Sequence, residues 1–88
     1  MLRISIVESS DNAVTLRLDG KVAGCWVEEL RRSCEEALTH ATRLTLDLTG
    51  VTFIHSEGMV LLGSLASRHV IFTNPSQFVA QQLKDANS

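Results

Sequence analysis

Three residue types that could do chemistry lie close together in the middle of the chain: Asp47, His55 and Ser56. A serine, an imidazole and a carboxylate are the parts of a hydrolytic relay. The spacing argues against one. His55 and Ser56 are chain neighbours whose side chains diverge on a turn, and no Gly-x-Ser-x-Gly elbow frames the serine. His40, His55 and His69 could ligate a metal, but no pair stands at ligand spacing, so no metal site is expected. Cys25 and Cys34 are nine residues apart without a C-x-x-C motif. Gly20, Gly24 and Gly50 form no phosphate-cradling fingerprint, and no cofactor is expected. The remaining chemistry is that of a single serine, Ser56, followed by Glu57 and Gly58. That is the pattern of a helix start with Ser56 as its N-cap.

The surrounding elements must position that serine. Leu2, Ile4 and Ile6 alternate with polar residues, as do Val14, Leu16 and Leu18. A polar turn at Glu8–Asn12 separates them, so a hairpin is predicted. Asp19-Gly20 and Gly24 break the second strand's pattern. Val27, Leu30, Cys34 and Leu38 recur at helical spacing, which predicts a helix from Cys25 to His40. Cys34 falls on its apolar stripe as an inert core thiol. Trp26, just off the stripe, is either a filler at the core edge or an exposed contact anchor. Leu44, Leu46 and Leu48 form a third strand that Gly50 closes, and Thr52-Phe53-Ile54-His55 then crosses the top of the sheet. Leu61, Leu62, Leu65 and Ala66 are the buried stripe of the second helix. Val70-Ile71-Phe72 is a short fourth strand. Asn74 as N-cap and Pro75 at the first helical position open a third helix. Phe78, Val79 and Leu83 hold that helix down, and it frays into Lys84–Ser88.

The order β-β-α-β-α-β-α predicts a single α/β domain over residues 1–88. Its four-stranded mixed sheet carries the helices on one face, with Leu16, Leu30, Leu46, Leu62 and Phe72 in the core. Composition narrows the function classes. Of 88 residues, 44% are hydrophobic and 20% charged, as in a globular chain rather than a disordered one. A net charge of −2 argues against nucleic-acid binding. The longest apolar run, Met59–Leu62, is too short for a membrane span. The first residues lack the apolar core of a signal peptide, and two cysteines make no disulfide framework, so a cytoplasmic protein is expected.

Asp47-Leu48-Thr49-Gly50-Val51 and Phe53-Ile54-His55-Ser56-Glu57-Gly58-Met59 resemble the strand-loop-helix motif of the STAS domain, the fold of bacterial anti-sigma-factor antagonists. Leu16–Arg32, with Trp26-Val-Glu-Glu-Leu30, resembles the family's second strand and first helix in its stand-alone bacterial members. The resemblance runs from about Val14 to Leu83. It implies a cytoplasmic, non-enzymatic, protein-binding regulator of transcription. Its phosphoacceptor position is Ser56, and its partner is an anti-sigma factor of the serine-kinase type. The implied contact surface is Thr52, Phe53, His55, Ser56, Glu57, Gly58 and Met59. A second reading is a constitutive scaffold subunit of an ABC-type lipid transporter, docked on the ATPase and never phosphorylated. Where the family carries Asp and Ser around the phosphoacceptor, this chain has His55 and Glu57. A glycine in a first helical turn needs a reason, and close approach by a partner or by the preceding loop supplies one for Gly58. Gly58→Leu is therefore expected to impair partner binding more than folding. Family members usually continue with another strand and helix. Without them the sheet is expected to keep an open edge that invites a homodimer.

Overall fold

The computed structural model describes residues 2–86. Asn87 and Ser88, assigned above to a fraying helix end, lie outside the described residues. The two alternating segments form β1 (Leu2–Ser9) and β2 (Ala13–Val22), paired antiparallel with Ile4 opposite Leu18 and Ile6 opposite Leu16. The turn between them is closed by the Ser10 amide donating to the Ala13 carbonyl at 2.8 Å. The Asn12 carbonyl accepts from the amides of Thr42 and Arg43, both at 3.0 Å, which fastens the hairpin to the start of β3 (Arg43–Ile54). β3 runs parallel to β2, and β4 (Ile71–Thr73) runs parallel to β3. The sheet order is therefore β1-β2-β3-β4, with β1 and β4 at the edges.

Parallel neighbours need crossovers. α1 (Cys25–His40) joins β2 to β3, and α2 (Ser56–Ser67) joins β3 to β4. α1 turns its predicted stripe, Val27, Leu30 and Cys34, into the core, and α2 buries Leu61, Leu62 and Leu65. They pack on the sheet face that carries Leu16, Leu18, Leu44, Leu46 and Leu48, all buried. Ile6, Leu16, Leu46 and Phe72 line up in register across that face. The opposite face is polar and open, with Arg17, Asp47 and Thr73 in one row. α3 (Gln77–Ala86) contributes Val79 to the core.

Several expected boundaries move. Asp19-Gly20 does not end β2, and Gly50 does not close β3, which continues to Ile54. Gly20 sits within β2 at φ 112°, a conformation that glycine tolerates. At Gly50 the Asp19 carboxyl lies where a Cβ would be, so the residue is small because the neighbouring strand crowds it. The ladder absorbs both through register shifts between Arg17 and Asp19 and between Gly20 and Lys21. Asn74 and Pro75 do not start α3. Asn74 takes φ 53°, and its side-chain amide reaches toward Asp47 at 3.5 Å. The cap is Ser76, whose Oγ accepts from the Val79 amide at 3.2 Å. Phe72 is half-buried against the core rather than within it, Ala66 is exposed, and Phe78 is 58% exposed.

Candidate functional site

β2 and β3 end side by side, and the backbone turns up from both into helices. The ladder outlasts β3 itself, because the His55 amide donates to the Val22 carbonyl at 2.9 Å. That bond keeps His55 extended, at φ −74° and ψ 162°, so His55 and not Ser56 is the N-cap of α2. The His55 carbonyl accepts from the Met59 amide at 2.9 Å and opens the helix. Ser56 is thereby the first helical residue. It is exposed, with its Oγ 3.4 Å from His55 Nδ1. Its hydroxyl stands over the α2 N-terminus, where unpaired amides give the helix dipole its positive end. Glu57 already places a carboxylate in that turn.

The expected contact residues divide into surface and support. Thr52 is exposed, its Oγ1 donating to the Gly20 carbonyl at 3.3 Å across the strand pair. His55, Ser56 and Glu57 are exposed, and Met59 is half-buried against the core. Gly58 is buried, contrary to its expected place on the contact surface. A Cβ there would stand 2.7 Å from Val22 Cγ1 and 3.0 Å from both Ile54 Cγ2 and the Val22 carbonyl. The close approach comes from the strand ends, and Gly58→Leu would disturb folding first.

α3 joins the site in a way that sequence reasoning missed. Phe53, 36% exposed, stacks on Phe78 with ring centroids 6.1 Å apart and planes at 27°. The Gln82 side chain reads the backbone of Ile54 as a strand would. Its Oε1 accepts from the Ile54 amide at 3.2 Å, and its Nε2 donates to the Ile54 carbonyl at 2.9 Å. Together they pin α3 beside the residue that precedes His55-Ser56. Val60, 73% exposed on α2, adds an apolar side chain one turn beyond Glu57. It borders a shallow cleft of about 360 Å³ between the two helix starts, shared with Gly24 and Glu28.

The other candidate groups stay apart. The Asp47 carboxylate lies on the polar sheet face. It accepts from the Thr49 hydroxyl at 2.5 Å and the Thr49 amide at 3.0 Å, and these bonds hold it below the usual carboxylate range, helped by Asn74 and Arg17. It bonds neither His55 nor Ser56, so no relay is assembled. His40, His55 and His69 are each exposed, on three separate helix ends. Among the described residues, no three His, Cys, Asp or Glu side chains group to hold a metal ion. Cys34 is fully buried, and burial pushes its thiol up to about 12, with Glu35 adding to the effect. Among the described residues, no helix is long and apolar enough to cross a membrane.

This architecture recurs in solved structures. The chain is similar to the anti-sigma factor antagonist SpoIIAA in its unphosphorylated form, with TM-score 0.80 and 22% identity over 97% of this chain and 81% of that one. It is similar to the Bacillus cell fate determinant SpoIIAA in the phosphorylated form, with TM-score 0.73 and 21% identity over 96% and 83%. An anti-sigma factor antagonist from Mycobacterium paratuberculosis gives TM-score 0.69 and 16% identity over 99% and 80%. No curated protein matches the chain. The family model described as "Mlab, STAS domain" matches residues 5–87, and the chain belongs to that STAS-domain family.

Proposed function

We propose that this chain is a regulatory module that works by binding a protein partner through the rim at the ends of β2 and β3, with Ser56 as its switch. The observation that carries the reading is the placement of Ser56. Ser56 is exposed at the first position of α2, beside the exposed residues His55 and Glu57 and three residues after Phe53, which stacks on Phe78. An apolar pair beside a modifiable hydroxyl suits a surface that binds in one charge state and releases in the other. Phosphorylation would add about 1.5–2 negative charges, which a partner fitted to the neutral hydroxyl would reject. The similarity to an antagonist known in unphosphorylated and phosphorylated forms supports this reading. The partner class is an anti-sigma factor of the serine-kinase kind, and the setting is a bacterial cytoplasm.

The test is mass spectrometry of the chain after incubation with such kinases, paired with binding by Ser56→Ala and Ser56→Asp. Ser56→Ala should bind constitutively and Ser56→Asp about 5–150-fold more weakly, the span of ordinary coupling energies. One observation favours a second reading. Glu57 puts a carboxylate in the turn that would receive the phosphate. If Ser56 stays unmodified and both variants bind alike, the module is a constitutive scaffold, such as a subunit docked on a transporter ATPase.

A further inference from the structure

An open groove lies on the β1 side of the sheet, against α1. α1 and α2 are the crossovers between β2, β3 and β4, so the apolar face of β1 is covered at Leu2, half-covered at Ile4 and left open at Ile6 beside α1. The groove measures about 510 Å³. Its floor is Leu2, Ile4 and Ile6 of β1 with Val14 and Leu16 of β2, and Ile6 is 70% exposed. Its wall is a second stripe of α1: Trp26, Glu29, Ser33, Glu36, Ala37 and His40. The stripe recurs every three or four residues and stands beside the core stripe of the same helix. From Trp26 to His40 it extends about 21 Å at 1.5 Å per residue, four helical turns.

A greasy floor, a straight wall of four turns and an unpaired strand edge describe a vacant helix position in the layer that α1 and α2 begin. The charge on the wall selects the occupant. Glu29 and Glu36 line the groove, and no lysine or arginine does. Glu36 has no ion pair among the described residues, and Glu29 meets Arg32 only at 3.9 Å. A second copy paired through β1 would set two such acidic walls facing each other across a merged groove, where they would repel. We propose that the groove docks an amphipathic helix of a partner protein, about four turns long. Its apolar face would lie on Ile4, Ile6 and Trp26, and its lysines or arginines would face Glu29 and Glu36. This surface is separate from the Ser56 rim and stands or falls independently of it.

Trp26 is the only tryptophan in the chain and reports directly on the groove. The probe is a tryptophan-free 18-residue synthetic helix with leucines on one face flanked by lysines. The control has the same leucine face flanked by glutamates. At low salt the lysine peptide should shift Trp26 emission to the blue and bind at least tenfold more tightly than the control. The Glu29→Lys/Glu36→Lys double variant should reverse that preference. Ile6→Asp should remove binding of both peptides while leaving the unfolding midpoint near that of the parent, since Ile6 is exposed. No Trp26 shift with either peptide overturns the proposal. So does binding that ignores the charge reversal. Sedimentation showing a dimer that Ile6→Asp disperses and the charge reversal leaves intact would give the groove to a second copy instead.

Discussion

Gly58 and Gly63 lie five residues apart on α2, one facing the strands and the other facing water, and the same substitution should have opposite effects at the two. At Gly58 an added Cβ meets Val22 Cγ1 at 2.7 Å, with Ile54 Cγ2 and the Val22 carbonyl each at 3.0 Å. None of these can retreat easily. Val22 and Ile54 are 0% and 1% exposed, and both are β-branched and stiff at χ1. The Val22 carbonyl is held by the His55 amide at 2.9 Å. Overpacking of this kind costs about 1–3 kcal/mol. The helix-propensity gain of alanine over glycine returns at most about 1 kcal/mol. Gly58→Ala should therefore lose stability, by up to about 2.5 kcal/mol once a gain of about 0.5–1 kcal/mol is subtracted from that cost. At Gly63 an added Cβ meets nothing within 4 Å, so the propensity gain stands alone. Gly63→Ala should gain about 0.5–1 kcal/mol. Urea denaturation followed by Trp26 fluorescence measures both, with an unchanged slope showing that the unfolded reference is the same. In a domain of this size each kcal/mol moves Tm by about 4–8 °C. The reasoning fails if Gly58→Ala proves as stable as Gly63→Ala, since the contacts at the strand ends would then offer no resistance.

Gln82→Ala should cost about 1–3 kcal/mol, because it strips both partners from the backbone of buried Ile54; faster hydrogen exchange at the Ile54 amide is the specific readout. A thiol reagent at pH 8 should titrate Cys25 alone in the native chain and Cys34 only on unfolding, because Cys25 is exposed while burial holds the Cys34 thiol protonated up to about 12. Native Cys25→Ser should give no rapid reaction. Asp47, whose carboxyl is held low first by the Thr49 hydroxyl and then by the Thr49 amide, should stabilise the fold above its unfolded pKa of about 4 and lose that contribution as pH falls through its lower folded value. Asp47→Asn should therefore be less stable than the parent at pH 7, by a margin that closes on acidification; a margin constant with pH would refute the assignment.

The parts of this fold that were legible in advance are those set by local repetition. α1 begins and ends where its apolar spacing said, Cys25 to His40, because the stripe Val27, Leu30 and Cys34 has one core to face. The leucines of β2 and β3 show their alternation directly, and Leu16 and Leu46 meet in register. What was not legible was decided by groups distant in sequence. Gly50 carries the sign of a strand end, yet its smallness answers to Asp19, thirty-one residues earlier, and the strand runs on. Asn74, Pro75 and Ser76 all suit a helix start. The choice fell to Ser76 once the Asn74 side chain turned toward Asp47.

The rim follows the same division. Ser56 was identifiable as the residue of interest from its motif, but its capping role was not its own to keep. The bond from the His55 amide to Val22 extends the ladder by one residue and moves the cap back to His55. Phe78 and Val79 are adjacent in α3, so only one could enter the core. Val79 does so, on the same side of α3 as Gln82, three residues on, which bonds the Ile54 backbone. That choice turns Phe78 outward onto Phe53 and makes an aromatic pair at the rim from residues twenty-five positions apart. A contact surface assembled this way depends on the seating of α3. Gln82 then supports two features at once, the Ile54 backbone that it bonds and the Phe53–Phe78 pair carried by the same helix.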